Sequence, residues 1–252
     1  MSYYALTHGD AIDWLQTLPD ESIDLVITDP PYESLEKHRA IGTTTRLKDS
    51  KSSSNQWFNI FPNNRFPDLF SEVFRVLKPN THFYLFCDQE TMFEAKPIGE
   101  KIGFKFWKPI VWDKEKIGMG YHYRARYEFI LFFEKGKRKL NDLSIPDVLS
   151  IPRIWKGYPT EKPAALSKIL VEQSTQENEI VIDPFFGSGS VGEASLSASR
   201  QFLGSDISDS ALEHASLRLA AIDGTESKTP QDLIDFSAYN SAAQQTLDLA
   251  EL

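Results

Sequence analysis

The chain has 252 residues, 41% of them hydrophobic and 25% charged, which is enough to bury a full α/β core. Its net charge of −9 is uneven: residues 1–36 carry −8, residues 37–162 carry +9 and residues 163–252 carry −10, so a polyanionic partner would meet the middle of the chain first. A single cysteine (Cys87), no apolar run long enough to span a bilayer and no basic-then-apolar leader argue against a disulfide framework, a membrane protein and a secreted one, leaving a cytoplasmic protein as the expectation.

Residues 3–7 read as a short strand ended by His8-Gly9-Asp10. Asp10 is placed to cap an amphipathic helix with Ile12, Leu15 and Leu18 on one face. After a turn at residues 19–22, the apolar run at 23–27 reads as a buried strand. It stops at Thr28-Asp29-Pro30-Pro31-Tyr32. Two prolines there remove two backbone donors and fix two φ angles. The strand mouth thus carries a carboxylate, rigid carbonyls and an aromatic ring. Such a set can accept two hydrogens from an amino group while the ring lies flat on a planar partner. The plain structural alternative is a strand-ending turn with a half-buried tyrosine.

Residues 33–63 form a long, basic stretch containing Arg39, Arg46, Lys48 and Lys51, which is expected to be a functional loop with a more apolar distal end at 57–61. The spacing then predicts a helix over 66–77, with Phe66, Leu69, Phe70, Val73, Phe74 and Leu77 buried, stopped by Lys78-Pro79-Asn80. A strand (82–86), a helix (92–101) and another strand (104–112) follow. The loop 114–126 mixes glycine, aromatic and basic residues, Arg124 and Arg126 among them. A strand at 127–133 runs into Lys135-Gly136-Lys137-Arg138-Lys139, which reads equally as a hairpin edge or a polyanion contact.

Past Pro159-Thr160-Glu161-Lys162-Pro163 come a helix (164–174) and a strand (179–183). The glycine loop at 184–190 feeds a helix of small residues to about Arg200. A strand (202–206), a helix (209–221) and an acidic extension (223–252) complete the chain. No Cys/His group at ligand spacing suggests a metal site. Strands alternating with helices argue for a doubly wound, mostly parallel α/β sheet, in which ligands sit outside the carboxyl ends of strands. Asp29, Asp183 and Asp206 all stand at strand ends. Asp183-x-x-x-Gly187-x-Gly189 before a helix, with Asp206 closing the next strand, has the logic of a nucleoside site: glycines admit close backbone approach, and the later acid can hold ribose hydroxyls. The spacing is neither a dinucleotide fingerprint nor a triphosphate loop.

Taken together, Gly9-Asp10, Asp29-Pro30-Pro31-Tyr32, residues 74–79, residues 159–163, residues 183–189 and Gly204-Ser205-Asp206 resemble the S-adenosylmethionine-dependent amino DNA methyltransferases, in the motif order called the β group. The resemblance covers about residues 3–220. It implies a seven-stranded, mostly parallel sheet with one antiparallel strand, and a single catalytic domain over residues 1–222. It implies S-adenosylmethionine as cofactor, with Asp183, Phe185, Gly187 and Gly189 at its methionine and nucleoside region. Asp206 would hold the ribose, Asp10 the adenine side, and Thr160 with Lys162 the carboxylate end. Tyr158 and Glu161 depart from the family pattern, and Lys162 also reads as a solvated lysine at a helix start. Asp29 and the Pro30 carbonyl would accept the hydrogens of a target amine, with Pro31 stiffening the turn and Tyr32 stacking on a base flipped out of double-stranded DNA. Asp-Pro-Pro-Tyr favours adenine N6 over cytosine N4. Candidate DNA contacts are Arg39, Arg46, Lys48, Lys51, Arg124, Arg126, Lys137 and Arg138. The resemblance also allows a homodimer, for which no stretch identifies an interface. Cys87 follows Phe86 in a core strand and lacks the setting of a cytosine-C5 nucleophile.

Overall fold

The computed structural model describes residues 2–33, 60–118, 123–155, 158 and 160–234. Most of the long basic stretch, with Arg39, Arg46, Lys48 and Lys51, lies outside the described residues, as do residues 235–252 of the extension.

The central strand, β2 (Ile23–Thr28), is buried along its whole length, as expected of a continuous apolar run covered on both faces. Its one acid, Asp24, is satisfied at once by Lys78 Nζ (2.8 Å) and the Ile180 amide (2.9 Å), which clips β2 to both neighbouring strands. Those neighbours are β3 (Leu77–Cys87) and β7 (Ile180–Asp183). Around them stand β1 (Ser2–His8), β4 (Lys105–Asp113), β5 (Tyr127–Lys135), β6 (Val148–Ser150), β8 (Gln201–Asp206) and β9 (Thr225–Ser227). The sheet order among the described residues is β6-β4-β5-β3-β2-β7-β8-β1-β9, and β5 alone runs against its neighbours. The sequence pattern suggested seven strands. The other two, β6 and β9, are three-residue edge additions too short to leave a periodic signal.

Helices α1 (Ala11–Gln16), α2 (Phe66–Val76) and α3 (Gln89–Ile102) cover one face. Helices α4 (Ala164–Ser174), α5 (Ser190–Ser197) and α6 (Asp209–Ala220) cover the other. A short α7 (Pro230–Leu233) places Leu233 and Ile234 against the first face. The first core is aromatic: Phe70 meets Phe83 edge-on at 5.2 Å and Phe133 at 5.4 Å. The second is largely aliphatic, built from Leu25, Ile27, Val181, Leu166 and Leu170.

Two boundaries differ from expectation. Lys78-Pro79-Asn80 does not follow the helix as a turn; α2 ends at Val76 and these residues open β3. Proline is tolerated there because the start of a strand needs few ladder donors. The basic run at 135–139 begins inside β5, and its backbone is held by buried His82, whose Nε2 lies 3.1 Å from the Arg138 carbonyl while Nδ1 meets Ser174 Oγ at 2.8 Å. Burial lowers the His82 pKa to about 4, so this imidazole is neutral in the native state.

Gly99 in α3 packs directly against Phe133 of β5 and Phe70 of α2. A Cβ there would lie 2.7 Å from Phe133 Cε1 and 2.9 Å from Phe70 Cε1. Gly99→Ala gains about 1 kcal/mol of helix propensity but overpacks two fully buried rings, at a cost of about 1–3 kcal/mol. The expected outcome is a lower melting temperature, measured by circular dichroism; an unchanged or higher one would show that the α3 contact relaxes freely.

Candidate active site

The crossover after β2 leads to β3 on one side, and the crossover after β7 leads to β8 on the other. α2 follows the first crossover on one face and α5 the second on the opposite face. The loops leaving Asp29 and Asp183 therefore part at the carboxyl edge and leave a crevice between them. Thr28 and Asp183 touch across that point, with Thr28 Oγ1 donating to Asp183 Oδ1 at 2.8 Å. The crevice is a cavity of about 880 Å³, lined on one side by residues 29–32 and on the other by the glycine loop.

On the first side, Asp29-Pro30-Pro31-Tyr32 is fixed from its far end. The Phe61 amide donates to the Pro31 carbonyl at 2.7 Å, and a parallel backbone bridge joins Tyr32 to Phe61. Tyr32 is buried, and burial pushes its hydroxyl pKa well above the usual tyrosine value. Asp29 accepts a hydrogen bond from Lys162, and Lys162 Nζ also lies 3.4 Å from Glu128 Oε2. Glu128 is paired in turn with Lys114. Burial raises the Asp29 pKa, and the Lys162 ammonium opposes that rise.

On the second side, Gly187 and Gly189 have φ of +48° and +75°, a backbone that disfavours side chains. A Cβ on Gly189 would also strike Ala215 of α6 at 3.0 Å. Asp206 Oδ2 accepts from the Gly187 amide (2.9 Å) and Oδ1 from the Ser208 amide (2.9 Å), so each oxygen keeps capacity for another donor. Asp183 Oδ1 accepts from the Phe185 amide at 3.0 Å. Burial pushes the Asp183 carboxyl up to about 7. Arg218 braces the loop from outside: Nη1 reaches the Ser188 carbonyl (3.1 Å) and Glu161 (2.7 Å). At the far wall Asp10 caps α1 through the Ile12 amide (3.0 Å) and holds Arg65 in a two-point pair, both contacts 2.8 Å. The open glycine backbone, the buried Asp183 and half-buried Asp206 held by neutral donors, and the Phe61–Phe185 rings, packed edge-on at 5.1 Å, form a cradle fit for a nucleoside carrying a cationic group.

Residues 23–217 match the family of N6/N4 DNA methylases, described simply as DNA methylase. The chain belongs to that family. Type II methyltransferase M.HpaI of Haemophilus parainfluenzae is 28% identical over 262 residues, spanning 90% of this chain and 80% of that protein. Type II methyltransferase M.HhaII of Haemophilus parahaemolyticus is 28% identical over 204 residues, spanning 79% and 88%. Among solved structures, the M1.HpyAVI–SAM complex superimposes with a TM-score of 0.63 at 25% identity, over 86% of this chain and all of that one. The cytosine-N4-specific PvuII DNA methyltransferase superimposes with a TM-score of 0.69 at 17% identity, over 88% and 89%, a likeness of fold alone.

For this DNA methylase the cavity gathers Asp10, Asp29, Pro30, Pro31, Tyr32, Thr160, Lys162, Asp183, Phe185, Gly187 and Asp206 along its walls, with Gly189 at the root of the glycine loop. Lys162, expected with Thr160 at the carboxylate end of the cofactor, pairs with Asp29 and Glu128. Asp10 is already engaged by Arg65. Arg124 and Arg126 lie exposed in the connection between β4 and β5, at the same carboxyl edge as the cavity, with Arg126 in a two-point pair to Asp113 (2.6 and 2.7 Å). Lys137 and Arg138 are not brought to this edge. β5 runs antiparallel, so its end reaches the opposite edge, where Arg138 pairs with Glu179 at 3.0 Å. Sequence reasoning missed Arg65, Lys114 and Glu128. Glu128 had left a signal, since it is an acid inside the apolar run Tyr127–Lys135, where a buried charge needs a partner.

Asp183 gives the site a pH signature. Its native pKa near 7 exceeds the unfolded value of about 3.9, so between these values the native state holds a proton that the unfolded chain has lost. Stability therefore falls as pH rises through that window. Asp183→Asn removes this dependence. The melting temperature of the variant should rise relative to wild type from about pH 4 to about pH 7 and level off above. A difference independent of pH would mean that Asp183 titrates as an ordinary carboxyl.

Proposed function

We propose that the chain transfers a methyl group from S-adenosylmethionine to the exocyclic N6 amine of an adenine flipped out of double-stranded DNA. The observation that carries this reading is the shared cavity: the Asp29-Pro30-Pro31-Tyr32 turn and the Asp183–Gly189 loop face one space from adjacent strands. S-adenosylmethionine, when bound, supplies an electrophilic methyl on a sulfonium. Asp206 is suited to its ribose hydroxyls, and the Asp183–Gly189 loop to the methionine and nucleoside region, with Thr160 at the rim.

An aromatic amine is a weak nucleophile because its lone pair is delocalised into the ring. Asp29 and the Pro30 carbonyl, as two fixed acceptors, would draw on its two hydrogens and turn the nitrogen towards the methyl donor. The Pro31 carbonyl already accepts from the Phe61 amide, which supports the Pro30 carbonyl as the partner of Asp29. The ring of Tyr32 would lie against the extruded base, and its hydroxyl stays protonated at any working pH. After transfer, the nitrogen sheds one proton, and an Asp29 carboxylate with a raised pKa is placed to receive it. Arg124 and Arg126 at the carboxyl rim would contact the duplex, with phosphates as the first partners.

The test is transfer of a labelled methyl group to unmethylated duplex DNA, followed by digestion and nucleoside analysis. N6-methyladenine is the expected product, and N4-methylcytosine would overturn the choice of base. Asp29→Ala should lower kcat by roughly 10²–10³-fold while leaving S-adenosylmethionine affinity nearly unchanged. A variant that keeps wild-type turnover would remove Asp29 from the chemistry.

A further inference from the structure

The side of the cavity around Asp29 holds more charge than amine capture alone requires. Four ionisable side chains from four separate segments stand in a line of alternating sign: Asp29, Lys162, Glu128 and Lys114. Their side chains are only 26%, 11%, 21% and 19% exposed, respectively. Lys162 lies between the two carboxylates, with its ammonium 5.5 Å from the centre of the Phe86 ring, so its position is set from three directions. It contacts Oδ2 of Asp29, which leaves Oδ1 as the oxygen open to a further donor.

We propose that Lys162, held in place by Glu128, is a positioning residue for the target amine: it occupies one oxygen of Asp29 and keeps that carboxylate charged, so the amine meets the other oxygen alone. This rests on the methyl-transfer reading given above. Among the ionisable groups facing Asp29, Lys162 and Lys114 favour its charged form. Glu128 on β5 and Asp183 on β7 disfavour it, and Tyr32 and Cys87 are neutral beside it because burial raises both of their pKa values. Desolvation is the largest influence and pushes Asp29 towards the neutral acid, which cannot accept two hydrogen bonds in the same way. Lys162 is thus the principal group that keeps the acceptor ionised. The role differs from holding the carboxylate end of the cofactor, for which Lys162 would have to leave Asp29 and Glu128.

The two members of the line make predictions of opposite sign. Lys162→Met removes the stabilising cation, so the acid limb of the kcat profile moves to higher pH by about one pH unit or more, and kcat at neutral pH falls roughly 10²-fold. Glu128→Gln removes a repelling charge, so the same limb moves to lower pH. Lys162→Arg keeps the charge and should keep the limb near its wild-type position with a reduced plateau. S-adenosylmethionine affinity, measured by calorimetry, should change less than about threefold in all three, while a carbon-NMR titration of the Asp29 carboxyl, assigned with Asp29→Asn, should follow the same shifts without DNA present. If Lys162→Met weakens S-adenosylmethionine binding tenfold or more and leaves the Asp29 titration in place, the lysine serves the cofactor and the proposal is overturned. Should Lys162→Met fail to fold, Glu128→Gln decides alone: a limb and a carboxyl titration that do not move down overturn it equally. Wild-type protein that binds S-adenosylmethionine but labels no DNA would instead overturn the parent reading, leaving the carboxyl titrations to report on the charge line itself.

Discussion

The structure depends on one strand pairing. β2 and β7 are separated by about 150 residues of chain, yet they lie side by side, with Leu25 opposite Val181 and Val26 opposite Ile182. Every apolar residue of β2 is buried, so a slip of one residue would turn Leu25 and Ile27 into the wrong core and present Asp24 to apolar surroundings. Asp24 guards the register further because it needs both Lys78 and the Ile180 amide. Once this register is set, Thr28 reaches Asp183, and two loops with unrelated sequences open onto the same crevice.

The acids of that crevice fall into two kinds, and the difference is chemical. Asp10 and Asp29 each carry a cation of their own, Arg65 and Lys162. Asp183 and Asp206 take their hydrogen bonds from neutral donors: a threonine hydroxyl and backbone amides. Burial raises the pKa of both, so each would gain most from a positive ligand close by. A cationic sulfonium therefore suits the Asp183–Asp206 side, and a neutral amine suits the side where Asp29 is already compensated. A bound cation would in turn draw the Asp183 carboxyl down from near 7.

Much of this was legible along the chain because it is local. A continuous apolar run followed by two prolines states a buried strand and its end, and the glycine spacing after Asp183 states a backbone that must approach a ligand. What was not legible depends on where separate segments meet. Lys162 looks like an ordinary residue before a helix, and its partner Asp29 lies 133 positions away. Arg65 and Asp10 are 55 positions apart. The strands β6 and β9 are too short to carry periodicity, and Lys78-Pro79-Asn80 has the composition of a turn although the chain there extends into β3. Glu128 lies between: its type and setting were visible, but its role required Lys114 and Lys162 to be seen beside it.

The single reversed strand decides which basic residues can serve the site. β5 enters the sheet at the carboxyl edge and leaves it at the opposite one. It therefore delivers the connection bearing Arg124 and Arg126 to the rim of the cavity and carries the run of Lys135 to Lys139 to the far edge. There the Lys135 ammonium donates to the Phe74 and Leu77 carbonyls (2.8 and 2.6 Å) and Arg138 pairs with Glu179, so this charge braces the end of α2 and the entrances to β3 and β7, while the Lys137 backbone amide binds Asn80. Charge runs in a sequence have no direction until a strand's polarity gives them one. In this molecule a single antiparallel strand separates basic side chains that brace the scaffold from basic side chains at the edge where the cavity opens.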